Sequence, residues 1–260
     1  GFELMQTREQ LRLVTLDLFE QLLADKVIYA EMRFAPLQHT SKGLTAFEVV
    51  QTVNKAVEEG IRETGIEARI ILCTLRHYSE SQSMETVQLV KQFAGTYVTG
   101  FDIAADEAGF PLKNHVKAFQ FAKEHQIFCT AHAGEAKGPE SVWETLNYLY
   151  PTRIGHGVRS VEDYTLIEFL KQKGIHLEVC PTSNIQTNVF DVIENHSVNT
   201  IYNSGVSMSI NTDARTTTPV TLTDEYALIE KVFNWSRVHF LRCNLEAIEH
   251  AFINNELKEV

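Results

Sequence analysis

The sequence predicts an α/β fold of the (β/α)8 TIM-barrel type, and three observations predict it. Seven apolar runs of strand length alternate with helical stretches; the runs are continuous in Val, Ile, Leu and Phe rather than alternating with polar residues; and a polar residue stands at the end of nearly every run. Continuous apolar strands suit a parallel sheet covered on both faces. In a barrel the strand ends converge on one mouth, where polar chemistry collects.

The runs are VIYAEMRFAP (27–36), ARIILCTLR (68–76), YVTGFDIAADE (97–107), IFCTAHAGE (127–135), TRIGHGVR (152–159), IHLEVCPTSN (175–184) and VSMSINTDAR (206–215). Their polar ends are Arg33, Arg76 with His77, Asp102 with Glu107, His132 with Glu135, His156, Ser183 with Asn184, and Asp213. Ahead of the first run, TREQLRLVTLDLFEQLLADK places Leu11, Val14, Leu18, Phe19 and Leu22 on one helical face. In TAFEVVQTVNKAVEEGIRETG, Thr45 and Glu48 form a capping-box pattern and Gly65 suits the stop. SVEDYTLIEFLKQKG reads as a helix with Ser160 as its N-cap and Gly174 as its stop.

An open doubly wound sheet shares the alternation. It calls for a Gly-rich phosphate turn after a strand, and GFDIAADEAG does not match G-x-G-x-x-G. Seven runs are one fewer than a closed barrel of this type uses. The expectation is therefore a single catalytic barrel domain over residues 1–260, N-terminally incomplete, with its first βα unit absent from the chain.

Composition narrows the partners. The chain has 260 residues, 44% hydrophobic and 22% charged, enough for one large core, and a formal net charge of −11. That charge disfavours nucleic acid and anionic membranes, which select clustered Lys and Arg. No apolar stretch reaches the roughly 18 residues of a membrane span, and the opening GFELMQTREQ has no signal-peptide pattern. Cys73, Cys129, Cys180 and Cys243 are scattered, which suits buried reduced thiols in a cytoplasmic protein. A small-molecule substrate is expected; oligomeric state has no signature.

His132, His156 and Asp213 end successive or near-successive strands, so their side chains can meet. Imidazole and carboxylate donors suit zinc, which in a catalytic site keeps a position for water. Glu135 follows in the turn after His132, where it can point into the pocket as a proton donor. Asp213 follows an apolar strand, where a carboxylate is costly unless paired or metal-bound. Each residue also has a bland reading. A lone histidine is more often a hydrogen-bonded core residue, Asp102 and Glu107 can be capping or ion-pair carboxylates, and Ser183 with Asn184 can be a turn after Pro181. His39, His115, His125, His196, His239 and His250 lack a partner pattern and read as surface residues.

TAHAGE, RIGHGVR, LEVCPTSN and SINTDAR, in this order and spacing and preceded by AEMRFAP and GFDIAADE, resemble the adenosine deaminase family of zinc aminohydrolases. The resemblance covers essentially the whole chain. It implies a (β/α)8 barrel that converts adenosine and deoxyadenosine to their inosine forms, with one zinc ion per chain. It also implies that His132 and Asp213 are zinc ligands, that Glu135 donates a proton to purine N1, and that His156 orients and deprotonates the water on the zinc. A backbone N–H around Ala105 would hold the base, with Asp102 and Asp213 also among the substrate-binding residues. Three departures stand out: no His-x-His occurs anywhere, Ala214 stands where many members carry a second aspartate, and Ala105 replaces a common glycine. The alternatives are a deaminase of another purine or adenosyl compound, a different metal-dependent hydrolase on this barrel, and a non-catalytic form lacking the His-x-His ligands. The H-x-E … P-C-x-x-C signature of nucleic-acid-editing deaminases is absent.

Overall fold

The computed structural model describes residues 2–258, so the extreme ends of the 1–260 domain expectation lie outside the described residues. All seven expected strands form, six of them shorter than their apolar runs and the second equal in length but shifted by one residue. In order the elements are α1 (Arg8–Ala24), β1 (Tyr29–Phe34), α2 (Ala46–Thr64), β2 (Glu67–Leu75), α3 (Glu80–Gln92), β3 (Val98–Ala104), α4 (Val116–Glu124) and β4 (Phe128–Ala133). They continue as α5 (Pro139–Leu149), β5 (Arg153–His156), α6 (Tyr164–Lys173), β6 (His176–Val179), α7 (Pro181–Gln186), α8 (Val198–Ser204), β7 (Met208–Ile210), α9 (Leu222–Phe233), α10 (Arg237–Glu249) and α11 (Asn255–Lys258). No helix among the described residues is long and apolar enough to cross a membrane. Two compact units result, residues 1–104 with 113–128, and residues 105–112 with 129–260.

In the first unit β1, β2 and β3 pair in parallel and in sequence order, with Arg33 opposite Ile71 and Cys73 opposite Asp102. Helix α2 begins with the expected capping box of Thr45 and Glu48 and stops at Gly65, whose φ is +74°. It buries Val49, Val50, Val53 and Val57 at helical spacing. Gly60 marks where α1 crosses it: a Cβ there would lie 2.2 Å from the Phe19 ring. Leu11, Phe19 and Leu22 of α1 are buried as expected, while Val14 and Leu18 are half-buried.

In the second unit β4, β5, β6 and β7 pair in parallel and in sequence order. Neither unit reverses its strand order, as a doubly wound sheet does at its switch point. Ile154, Leu177, Val179, Met208 and Ile210 from the strands pack with Leu166, Leu170, Val198, Ile201 and Ile229 from the helices. Helix α6 is capped by Asp163, not by Ser160, which lies in the preceding 3-10 turn. The Asp163 carboxylate reaches the N–H groups of Thr165 and Leu166, a geometry Ser160 is too far upstream to make.

Three histidines read from sequence as surface residues are buried: His39, His115 and His196. Each has a partner distant in the sequence, which spacing does not reveal. His115, for example, lies 3.1 Å from both the Ser83 hydroxyl and the Arg76 carbonyl. Burial holds the imidazoles of His39 and His115 below the ordinary value and takes that of His196 down to about 3. His176, stacked on His250 with ring centroids 4.6 Å apart, is held well below by burial and by its basic neighbours. Such groups are neutral in the fold but take up protons in the unfolded chain near pH 6.5. Their contribution to stability is therefore complete above about pH 6.5 and is lost as pH falls below it. Each costs about 1.4 kcal/mol per pH unit between its two pKa values. Thermal unfolding followed from pH 7.5 to pH 5 should show a steadily falling Tm. A Tm that holds level over that range would mean that these histidines titrate freely in the fold.

Candidate active site

Four of the predicted site residues meet in the second unit. His132 lies near the end of β4, directly across the ladder from Gly155 of β5. A Cβ on Gly155 would lie 3.0 Å from His132 Cγ and Nδ1, so the glycine makes room for the ring. His156 ends β5, and its ring centroid is 5.2 Å from that of His132. Its Nε2 lies 3.6 Å from Glu135 Oε2 and 3.9 Å from Asp213 Oδ2. His156 and Asp213 both adopt left-handed backbone, with φ of +62° and +59°. Non-glycine residues are uncommon there, and such conformations cluster at functional sites.

Helix α7 supplies what the sequence did not assign. Pro181 at its first position starts the helix immediately after Cys180, so Ser183 and Asn184 sit on a helical turn rather than in a loose one. Ser183 Oγ donates to Asp213 Oδ2 at 2.7 Å, and Ala214 N–H donates to Asp213 Oδ1 at 2.8 Å. Burial pushes the Asp213 carboxyl up, but the His156 and His132 imidazoles and the Ser183 hydroxyl outweigh it and hold it below its ordinary value. Asn184 Nδ2 lies 3.3 Å from Glu135 Oε1 and 3.1 Å from His156 Nδ1, and Asn184 Oδ1 is 3.2 Å from His196 Nε2.

This chain of contacts has a direction. The Val198 main-chain N–H donates to His196 Nδ1, so neutral His196 carries its proton on Nε2 and donates to Asn184 Oδ1. The Asn184 amide then donates to His156 Nδ1, which puts the His156 proton on Nε2, facing the two carboxylates. The start of α7 is anchored in turn by Glu225 of α9, which accepts from Thr182 N–H at 3.1 Å. Burial raises the Glu225 carboxyl to about 7. The sequence signal for Ser183 and Asn184 was Pro181 after a strand; His196 and Glu225 had none, because what ties them to α7, Asn184 and Thr182, lies 12 and 43 residues away.

The remaining predicted residues are placed differently. Asp102 is fully buried in β3 of the first unit, where Arg33 Nη1 lies 3.0 Å and Cys73 Sγ 3.3 Å from its Oδ2. Its surroundings are those of an ion-pair carboxylate. Ala105 is exposed and left-handed, with φ of +77°. Glu107, whose bland reading was a capping or ion-pair carboxylate, is buried against the main chain of the turn that follows His132.

Donor chemistry tests the site for zinc. His156, Cys180 and Asp213 bring a nitrogen, a sulfur and an oxygen within 4.8 Å of one another. Imidazole, thiolate and carboxylate are zinc donors, so the set fits in kind. In number, His132 with Asp213 falls short of the three protein ligands of a catalytic zinc.

The sequence profile described as adenosine deaminase matches residues 1–260. Adenosine deaminase from Clostridium botulinum is 36% identical over 259 residues, 99% of this chain and 77% of that protein. The crystal structure of adenine deaminase from Arthrobacter aurescens superposes with a TM-score of 0.91 at 25% identity, covering 98% of this chain and 77% of the other. An amidohydrolase from Burkholderia ambifaria, solved with bound Zn, gives the same TM-score at 22% identity over 98% of this chain and 71% of its own. The seven βα repeats are thus those of the (β/α)8 barrel of these deaminases, and the chain belongs to the adenosine deaminase family of hydrolytic deaminases.

Proposed function

We propose that the protein removes the exocyclic amine of adenosine and deoxyadenosine by hydrolysis, giving inosine or deoxyinosine and ammonia, with residues 1–260 as one cytoplasmic catalytic domain. The observation that carries this reading is the approach of Glu135 and Asp213, each just past a strand, to His156 Nε2 at 3.6 and 3.9 Å. In the proposal His132 and Asp213 hold one zinc ion together with further donors. Zinc bound there supplies the acidity that makes water nucleophilic near neutral pH.

The chain's own residues do the rest. Glu135 hands a proton to purine N1, which draws electrons from C6 and opens it to attack. The amide of Asn184 and the hydroxyl of Thr187, each 3.3 Å from Glu135 Oε1, hold that carboxyl in place. His156 orients the attacking water. The proton that the water loses on attacking C6 passes to Glu135, whose Oε2 lies 3.6 Å from His156 Nε2, once Glu135 has protonated N1, and from there it goes on to the departing amine. The main chain at Ala105 holds the base.

A related substrate, adenine or a larger adenosyl compound, is favoured by one specific feature: Ala214 and Ala105 alter two positions that would face the base. An ultraviolet assay on adenosine, deoxyadenosine, adenine and AMP decides among them. Adenosine should turn over fastest by kcat/KM, and faster turnover of another compound would reassign the substrate. In the same preparation Asp213→Ala should carry well under half of the parent zinc by elemental analysis. Full zinc in that variant would remove Asp213 from the ligand set.

A further inference from the structure

We infer that Glu107 is a positioning residue for the proton donor: its buried carboxylate locks the turn bearing Glu135 to the turn bearing Ala105. The inference rests on the reading of Glu135 as the acid. Glu107 is 4% exposed. Its Oε1 accepts from Gly134 N–H at 2.7 Å and from Ser141 Oγ–H at 2.5 Å, and its Oε2 accepts from Glu135 N–H at 3.1 Å and Lys137 N–H at 2.9 Å.

Three of these donors are main-chain groups of a single turn between β4 and α5. None has a strand or helix partner at that point, so an outside acceptor must satisfy them. Only an ionised carboxylate offers two oxygens that accept from all four donors and present no hydrogen of their own. The N-terminus of α5 favours negative charge at this place. Arg159, paired with Glu162, lies beside the same turn, its Nη1 3.2 Å from the Ala136 carbonyl.

Two features go beyond a capping role. The bonds fall on Glu135 itself and on residues at both sides of it, so they fix the base of the catalytic side chain. Glu107 also lies two residues after Ala105, in a segment stiffened by Asp106 Oδ1, which accepts from Ala108 N–H at 3.1 Å and Gly109 N–H at 2.9 Å. The donor to the ring nitrogen and the main chain proposed to hold the base thus belong to one hydrogen-bonded assembly. Gly134 leaves that assembly little play: its φ is +67°, and a Cβ there would lie 2.5 Å from Val142 Cγ2.

Glu107→Gln, nearly isosteric, turns an NH2 group towards two N–H donors and breaks the clamp without opening a cavity. In the complete, zinc-loaded protein the amides of Gly134, Glu135 and Lys137 should exchange with solvent at least about tenfold faster, with little change elsewhere. The kcat for adenosine should fall about 100-fold, the scale of a small misplacement of a catalytic group, with KM nearly unchanged. In a Glu135→Gln background the same change should cost little further turnover, because the group being positioned is already gone. Should the Gln variant fail to fold, Glu107→Asp, which keeps the charge but withdraws it by one methylene, provides the same exchange reading. Unaltered exchange at the three amides overturns the inference, as does a kcat loss that multiplies in full in the Glu135→Gln background. If Glu135→Gln alone proves fully active, the acid assignment fails, and the exchange rates still decide whether Glu107 holds the turn.

Discussion

Glu135→Gln is expected to preserve the fold and the metal content while lowering kcat for adenosine by about 10²- to 10⁴-fold, the range that a positioned general acid contributes. The substitution keeps the size of the side chain, and an amide can still bond to Asn184 and Thr187, which now hold Oε1 at 3.3 Å. It removes only the capacity to give up a proton to the ring. The loss should fall on kcat and kcat/KM alike, because the proton moves in the transition state and not on binding. Absorbance at saturating adenosine, with zinc measured on the same sample, provides the check. Turnover retained above about a tenth would take Glu135 out of the mechanism.

His156→Ala should slow the reaction by about 10²- to 10³-fold, the cost of losing one pre-aimed donor in an active site. Zinc content should stay close to that of the parent. The argument is geometric: Nδ1 of this ring is engaged by Asn184, while Nε2 faces Glu135 and Asp213 across 3.6 and 3.9 Å. A ring so placed can orient a small molecule between those carboxylates. If zinc is lost in step with activity, His156 is a ligand and its role must be rewritten.

The strands were legible because burial on both faces leaves an unbroken apolar run, and all seven appeared. Their ends were less so: TRIGHGVR reads as eight residues of strand, yet β5 stops at His156, where the backbone turns left-handed. The gathering of His132, Glu135, His156 and Asp213 was legible because each ends or follows a strand, and parallel strands carry their ends to one side. The support behind them was not. Ser160 looked like a cap because it precedes a helical pattern, but two more residues of 3-10 turn hand the task to Asp163. His196 looked solvated because its bond from the Val198 main chain leaves no mark in residue spacing, and its side-chain partner Asn184 lies twelve residues away. Asp102 and Glu107 illustrate the same limit from opposite sides. Both read equally well as structural carboxylates, and only coordinates separate an ion pair with Arg33 from a clamp on the turn at Glu135.

The left-handed backbone at Ala105, His156 and Asp213 bears on how this scaffold can be re-engineered. An ordinary L-residue in that region gives up about 1–2 kcal/mol, and a β-branched one more. Randomised libraries that admit Val, Ile or Thr at those three sites would discard most members to misfolding before selection began. Diversity is better introduced at Ala214 and along the exposed side of α7, where the main chain imposes no such filter.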